Sequence, residues 1–199
     1  TRAVASFVTS SIDSIVAAIG NARLAMERDP GLVGVHVEGP FLAPGRKGAH
    51  NRRLLRDPDP ASVERLLEVA PGVVRQITIA PELPGALDAI SRFVDAGVPV
   101  AVGHTECNYD TAREAFARGA SLVTHAFNAM EPIRGRMPGV LGAAVAAPHV
   151  TLEIGGGLDA EQHRARCQET IHLRLIARQL RDLEITRVLQ RGQDRAREI

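Results

Sequence analysis

Residues 32–42 read Leu-Val-Gly-Val-His-Val-Glu-Gly-Pro-Phe-Leu. The run 32–37 is β-branched and almost continuously apolar, as expected of a strand buried on both faces. His36 and Glu38 stand at its end, where a Gly-Pro turn stops it. Five further runs share this character, at 4–8, 73–80, 98–102, 122–126 and 150–154. Helical spacing of apolar residues fills the intervals: 11–28 (Ile12, Ile15, Val16, Ile19, Leu24), 60–69, 83–96 and 111–118. Alternating strand and helix predicts an α/β fold with a parallel sheet.

A doubly wound sheet and a barrel both fit that alternation, and the polar residues choose between them. Glu82 follows the third run, His104 the fourth and His125 the fifth, as Glu38 follows the second. In a TIM barrel such ends converge on one mouth, whereas an open sheet spreads them along a ridge. No Gly-x-Gly-x-x-Gly follows the first strand, which counts against a dinucleotide fold. Six strands fall short of the eight that a closed barrel of about 250 residues needs. The fold class expected is therefore α/β, a partial TIM (β/α)8 barrel.

The composition shifts near Gly155. Residues 1–160 hold all 12 prolines and 17 of the 18 glycines, while 161–199 hold nine arginines and five glutamines, with a stripe at Leu173, Ile176, Leu180 and Leu183. Two units are expected: a partial catalytic barrel at 1–154 and a divergent, helical or disordered tail at 155–199. The triplet Gly155–Gly157 lacks the Lys-Ser/Thr of a phosphate loop and reads as a joint. A net charge of +1 and 3% aromatic residues argue against nucleic acid as a partner. No apolar run nears the roughly 20 residues of a membrane helix. Cys107 and Cys167 have no Cys-x-x-Cys spacing, so a reduced, cytoplasmic setting is expected.

Three ligand-type side chains, Glu38, His104 and His125, each close a different strand. One carboxylate and two imidazoles form a donor set for a divalent metal ion, with zinc favoured. Any one of them alone is more often a satisfied core or strand-end residue; together they point to a metal site. The loop Gly-Arg-Lys-Gly-Ala-His-Asn at 45–51 offers close backbone approach at Gly48 and a donor at His50, or is an exposed basic loop. In 128–139, the Asn128 and Ala129 amides could hold an anion and Arg136 could pair with phosphate; two loop arginines are otherwise merely solvated.

His-Val-Glu-Gly-Pro-Phe-Leu, Lys-Gly-Ala-His-Asn, Ala-Pro-Glu, Val-Gly-His-Thr, Thr-His-Ala-Phe-Asn-Ala-Met and Gly-Arg-Met-Pro-Gly, in this order, resemble the motifs of N-acetylglucosamine-6-phosphate deacetylases of the amidohydrolase superfamily. The resemblance spans about residues 5–154 and implies a barrel of the metal-dependent hydrolase type with segments missing at both ends. It implies metal ligands at Glu38, His104 and His125, sugar contacts at Ala49 and His50, a backbone phosphate site at Asn128 and Ala129, and Arg136 reaching the phosphate of a neighbouring subunit in a homodimer. The implied reaction converts N-acetylglucosamine 6-phosphate to glucosamine 6-phosphate and acetate. The family's Ala-Asp-Gly-x-His motif and its proton-transferring aspartate have no match in 155–199, where Asp159 and His163 stand in a different context. This chain alone is thus expected to be nearly inactive. The alternatives are a catalytically dead fragment that keeps metal or sugar-phosphate binding, and another amidohydrolase acting on a cyclic amide or aminopurine.

Overall fold

The computed structural model describes residues 2–134 and 136–154. The tail at 155–199, with Asp159 and His163, lies outside the described residues. Six strands, β1 (Ala3–Val8), β2 (Leu32–Glu38), β3 (Val74–Ile79), β4 (Val100–Val102), β5 (Leu122–Val123) and β6 (Thr151–Leu152), form one sheet. Its order is β1-β2-β3-β4-β5-β6, and every pairing is parallel. Five helices alternate with them: α1 (Ile12–Arg28), α2 (Pro60–Leu67), α3 (Ala86–Asp95), α4 (Tyr109–Ala117) and α5 (Gly139–Ala146). Strand order never reverses, so the sheet is singly wound with its helices on one face, as in a TIM barrel. Consecutive helices pack on one another from α1 to α5.

Curvature follows from distances. Neighbouring strands lie about 4.8 Å apart, which would separate β2 from β5 by roughly 14 Å on a flat sheet. Yet Glu38, ending β2, lies 3.2 Å from His125, just beyond β5. The amide of Gln76 on β3 likewise reaches the carboxylate of Glu153, beyond β6, at 3.2 Å. The sheet is an arc of a barrel, and among the described residues β1 and β6 each pair on one side only.

Alternation along the strands sorts the side chains. Val35, Val37, Ile77, Ile79, Val100, Val102 and Val123 join the buried core with Ile12, Ile15, Ile19 and Ala22 of α1. The concave face is polar: His36 bonds Thr78 (2.7 Å), Thr78 bonds Thr124 (2.7 Å), and Gln76 donates to Thr124 (3.1 Å). Serine, aspartate and asparagine caps at Ser11, Asp59 and Asn108 start α1, α2 and α4.

The strands and helices expected within 1–154 are all present, with ends shifted by a few residues. Residues 98–99 belong to the turn that leaves α3, since Val98 donates to Phe93. The fifth strand stops before His125, whose φ of +31° breaks the extended conformation. Helix α3 starts at Ala86 rather than 83, because Gly85 at its N-cap is left-handed (φ +79°). Helix α5 was not expected at all. Gly139, Val140, Leu141, Ala143, Ala144 and Val145 are all buried, so it has no polar face to betray a helical period.

Candidate metal centre

Glu38 is the last residue of β2, and His104 and His125 each stand two residues beyond β4 and β5. Both histidines are left-handed, with φ of +48° and +31°. Such backbone costs non-glycine residues roughly 1 kcal/mol or more, and it is tolerated where the surroundings enforce it. The effect is convergence. Glu38 Oε1 lies 3.0 Å from His104 Nε2 and 3.2 Å from His125 Nε2, and the two nitrogens are 2.8 Å apart. Gly39 makes the turn behind the carboxylate possible: its φ is +91°, and a Cβ there would meet Thr9 Oγ1 at 2.2 Å.

His104 Nδ1 lies 2.7 Å from the carbonyl of Arg46. A carbonyl only accepts, so Nδ1 carries a proton, and Nε2 is the ring atom turned to the triangle. Three lone-pair donors at 2.8–3.2 Å require a positive charge between them, either protons or a metal ion. Zinc ligands at about 2.0–2.1 Å with angles of 90–109° stand roughly 2.9–3.4 Å apart, close to this triangle. An Nδ1–H donated to a backbone carbonyl is also the usual support of a metal-binding histidine. His125 Nδ1, buried with no hydrogen-bond partner beyond its own backbone, leaves Nε2 as that ring's working atom. The residues present fit a divalent metal ion.

Hydrogen bonding from His104, then from His125, holds the Glu38 carboxyl well below the usual carboxylate range, against burial, which alone would raise it. Burial lowers His36 and His50, keeping both neutral. Burial also opposes charging of His125, but bonding to Glu38 and its own backbone, with the charges of Glu38 and Glu153, raises it overall.

The other expected residues sit around this triangle unequally. His50 is buried; its Nδ1 faces the Thr9 amide (3.2 Å) and hydroxyl (2.8 Å). The amide can only donate, so the ring proton lies on Nε2, 3.8 Å from Glu38 Oε2. His50 also meets His104 edge to face at 4.7 Å. Ala49 beside it is exposed. His125, Phe127 and Ala129 have positive φ while Ala126 and Asn128 between them do not. Within that segment the Ala126 amide donates to the Glu153 carbonyl at 2.7 Å. The Asn128 amide donates to the His125 carbonyl at 2.9 Å. Arg136 is exposed, on a hairpin whose strands bond through Arg134 and Met137, and it lines a cleft of about 310 Å³ with Glu106, Tyr109 and Glu131. It is not brought to the triangle within this chain.

Sequence reasoning missed the residues that support the site. Glu82 was placed at a strand end without a role; it accepts from the Thr105 hydroxyl (2.5 Å) and the Glu106 amide (2.6 Å), fixing the segment after His104. Arg46 and Thr9 gave no signal, because their contacts run to residues 29 or more positions away.

The chain matches no protein-family model. It is 34% identical over 160 residues to the N-acetylglucosamine-6-phosphate deacetylase of Vibrio furnissii, a match covering 77% of this chain and 39% of that protein. It is 33% identical over 150 residues to the N-acetylgalactosamine-6-phosphate deacetylase of Escherichia coli O157:H7, covering 74% and 40%. The crystal structure of N-acetyl-D-glucosamine-6-phosphate deacetylase from Mycobacterium smegmatis superposes with a TM-score of 0.73 at 46% identity, over 77% of this chain and 40% of that one. The same figures hold for a mutant of that enzyme in complex with N-acetyl-D-glucosamine-6-phosphate. The chain spans about two fifths of the length of the curated relatives it matches.

Proposed function

This chain is related in sequence and fold to the N-acetylglucosamine-6-phosphate deacetylases, and on that premise we propose that it carries the metal-binding and sugar-phosphate-binding part of such an enzyme. The reaction is hydrolysis of the N-acetyl group of N-acetylglucosamine 6-phosphate to glucosamine 6-phosphate and acetate. The observation that carries this reading is the triangle of Glu38, His104 and His125 donors at 2.8–3.2 Å. A divalent metal held there, zinc by its mixed nitrogen and oxygen donors, supplies a Lewis acid that polarises the amide carbonyl and eases ionisation of water.

The chain's own residues do the rest. Glu38 stays ionised beside the two imidazoles. His50, neutral and with its proton on Nε2, donates to a sugar oxygen at the mouth, with Ala49 alongside. Asn128 and Ala129 lie in the alternating-φ segment and contribute to the phosphate site. Arg136 projects from a hairpin with exposed Met137 (66%) and partly exposed Ile133 (38%), a tip suited to a second copy. In a homodimer, Arg136 of the partner subunit would pair with the phosphate as a charge-assisted fork. A phosphorylated sugar does not cross membranes unaided, so the reaction belongs in the cytoplasm. None of the described residues is assigned as the proton carrier to the leaving nitrogen.

The test is a chimera in which residues 5–154 replace the matching stretch of the Mycobacterium smegmatis deacetylase. Acetate release from N-acetylglucosamine 6-phosphate within about tenfold of the parent is expected, and Glu38→Gln in the chimera should abolish it. A chimera that folds and releases acetate only from N-acetylgalactosamine 6-phosphate, or only opens cyclic amides, would reject the substrate assignment.

A further inference from the structure

We propose that Arg46 is a positioning residue for His104, acting through its own carbonyl. The inference rests on the metal reading of the Glu38 triangle and adds what holds one of its members in place. The short 3-10 turn Pro44–Arg46 clasps His104 at two points. The Ala43 amide donates to the His104 carbonyl at 2.9 Å, and His104 Nδ1 donates to the Arg46 carbonyl at 2.7 Å. The clasp therefore holds both the backbone and the ring of His104.

A three-residue turn is a weak support by itself. One backbone bond closes it, from the Arg46 amide to the Ala43 carbonyl at 2.9 Å. The Arg46 side chain supplies the missing anchor. Its guanidinium is ion-paired with Glu131 and faces Glu106 at 3.8 Å. Glu106 lies two residues beyond His104, and Glu131 lies six beyond His125. One guanidinium thus ties the loop after β2 to both histidine-bearing loops. Glu82 completes the frame by accepting from Thr105 and Glu106.

The consequence is geometric. Held against the Arg46 carbonyl, the His104 ring keeps Nε2 aimed at the triangle, where a metal would meet it. If the turn drifts, Nδ1–H loses its acceptor and the ring is free to turn away from the ligand position. Lysine at 46 would keep the charge but replace a planar fork with a single point, so it restores the clasp only in part.

The experiment uses the full chain without metal and follows hydrogen exchange of the Ala43 amide, which donates to the His104 carbonyl. In Arg46→Ala its protection should fall by about tenfold or more, with partial rescue in Arg46→Lys and no change in Arg53→Ala, an exposed arginine outside the clasp. Zinc affinity by chelator competition should fall about 10–100-fold in Arg46→Ala. Should Arg46→Ala not fold, Glu131→Gln removes the ion pair and should lower the same protection. Wild-type protection of the Ala43 amide in the folded variants overturns the proposal. The exchange is read without metal, so a wild-type chain that takes no zinc counts against the metal reading alone.

Discussion

Gly103 separates β4 from His104, and Gly103→Ala probes how tightly the barrel face holds the site. A Cβ at this position would stand 2.9 Å from Thr124 Cβ and 3.0 Å from Thr78 Cγ2. Unstrained carbon pairs sit about 3.5–4.0 Å apart, so each contact overlaps by roughly 0.5–1 Å. Neither threonine can swing away cheaply. Both are buried and β-branched, their hydroxyls bond each other at 2.7 Å, and the pair is tied to His36 and Gln76. The end of β4 has to move instead. Overpacking of this kind costs about 1–3 kcal/mol, which for a domain of this size lowers Tm by roughly 2–12 °C. Because His104 follows directly, its Nε2 should also leave the Glu38–His125 triangle, and zinc affinity should drop by about tenfold or more. Urea denaturation and chelator competition on the same samples measure both effects. A variant within 0.5 kcal/mol of wild type and with unchanged zinc affinity would refute the steric argument and the rigidity it assumes.

Two further outcomes are expected. Cys107 is 4% exposed and burial pushes its thiol up to about 12, so iodoacetamide at pH 8 should leave it unmodified in the native chain and label it in urea, as read by peptide mapping. Asp59 caps α2 through the Ser62 amide at 3.0 Å, and Asp59→Ala should lose about 1 kcal/mol at pH 7. Hydrogen bonds from the Ser62 hydroxyl and amide hold the Asp59 carboxyl below its ordinary value. Its stabilisation is therefore present above the unfolded pKa and fades as pH falls through the folded one, so wild type and variant should converge in acid, as denaturation at stepped pH will show.

Much of this was legible because the decisive residues stand at strand ends. The β-branched runs announce buried parallel strands, and Glu38, His104 and His125 each follow such a run, so their convergence follows from barrel geometry. Helix α5 was illegible, since a helix buried all round and carrying Gly139 and Gly142 shows no amphipathic period. The polar concave face was hidden for a different reason. Gln76, Thr78 and Thr124 look like ordinary strand residues until curvature brings β3 and β5 within hydrogen-bond reach. Arg46 was beyond reach because its carbonyl acts on a ring 58 residues away, and a backbone acceptor leaves no mark in side-chain identity.

The central claim is that Glu38, His104 and His125 form one metal site. Elemental analysis of the purified chain after zinc loading and desalting tests it most directly. About one zinc per wild-type chain is expected, and none retained by the His104→Ala, His125→Ala double variant, with its fold checked by circular dichroism. Equal zinc in the wild type and a folded double variant would contradict it.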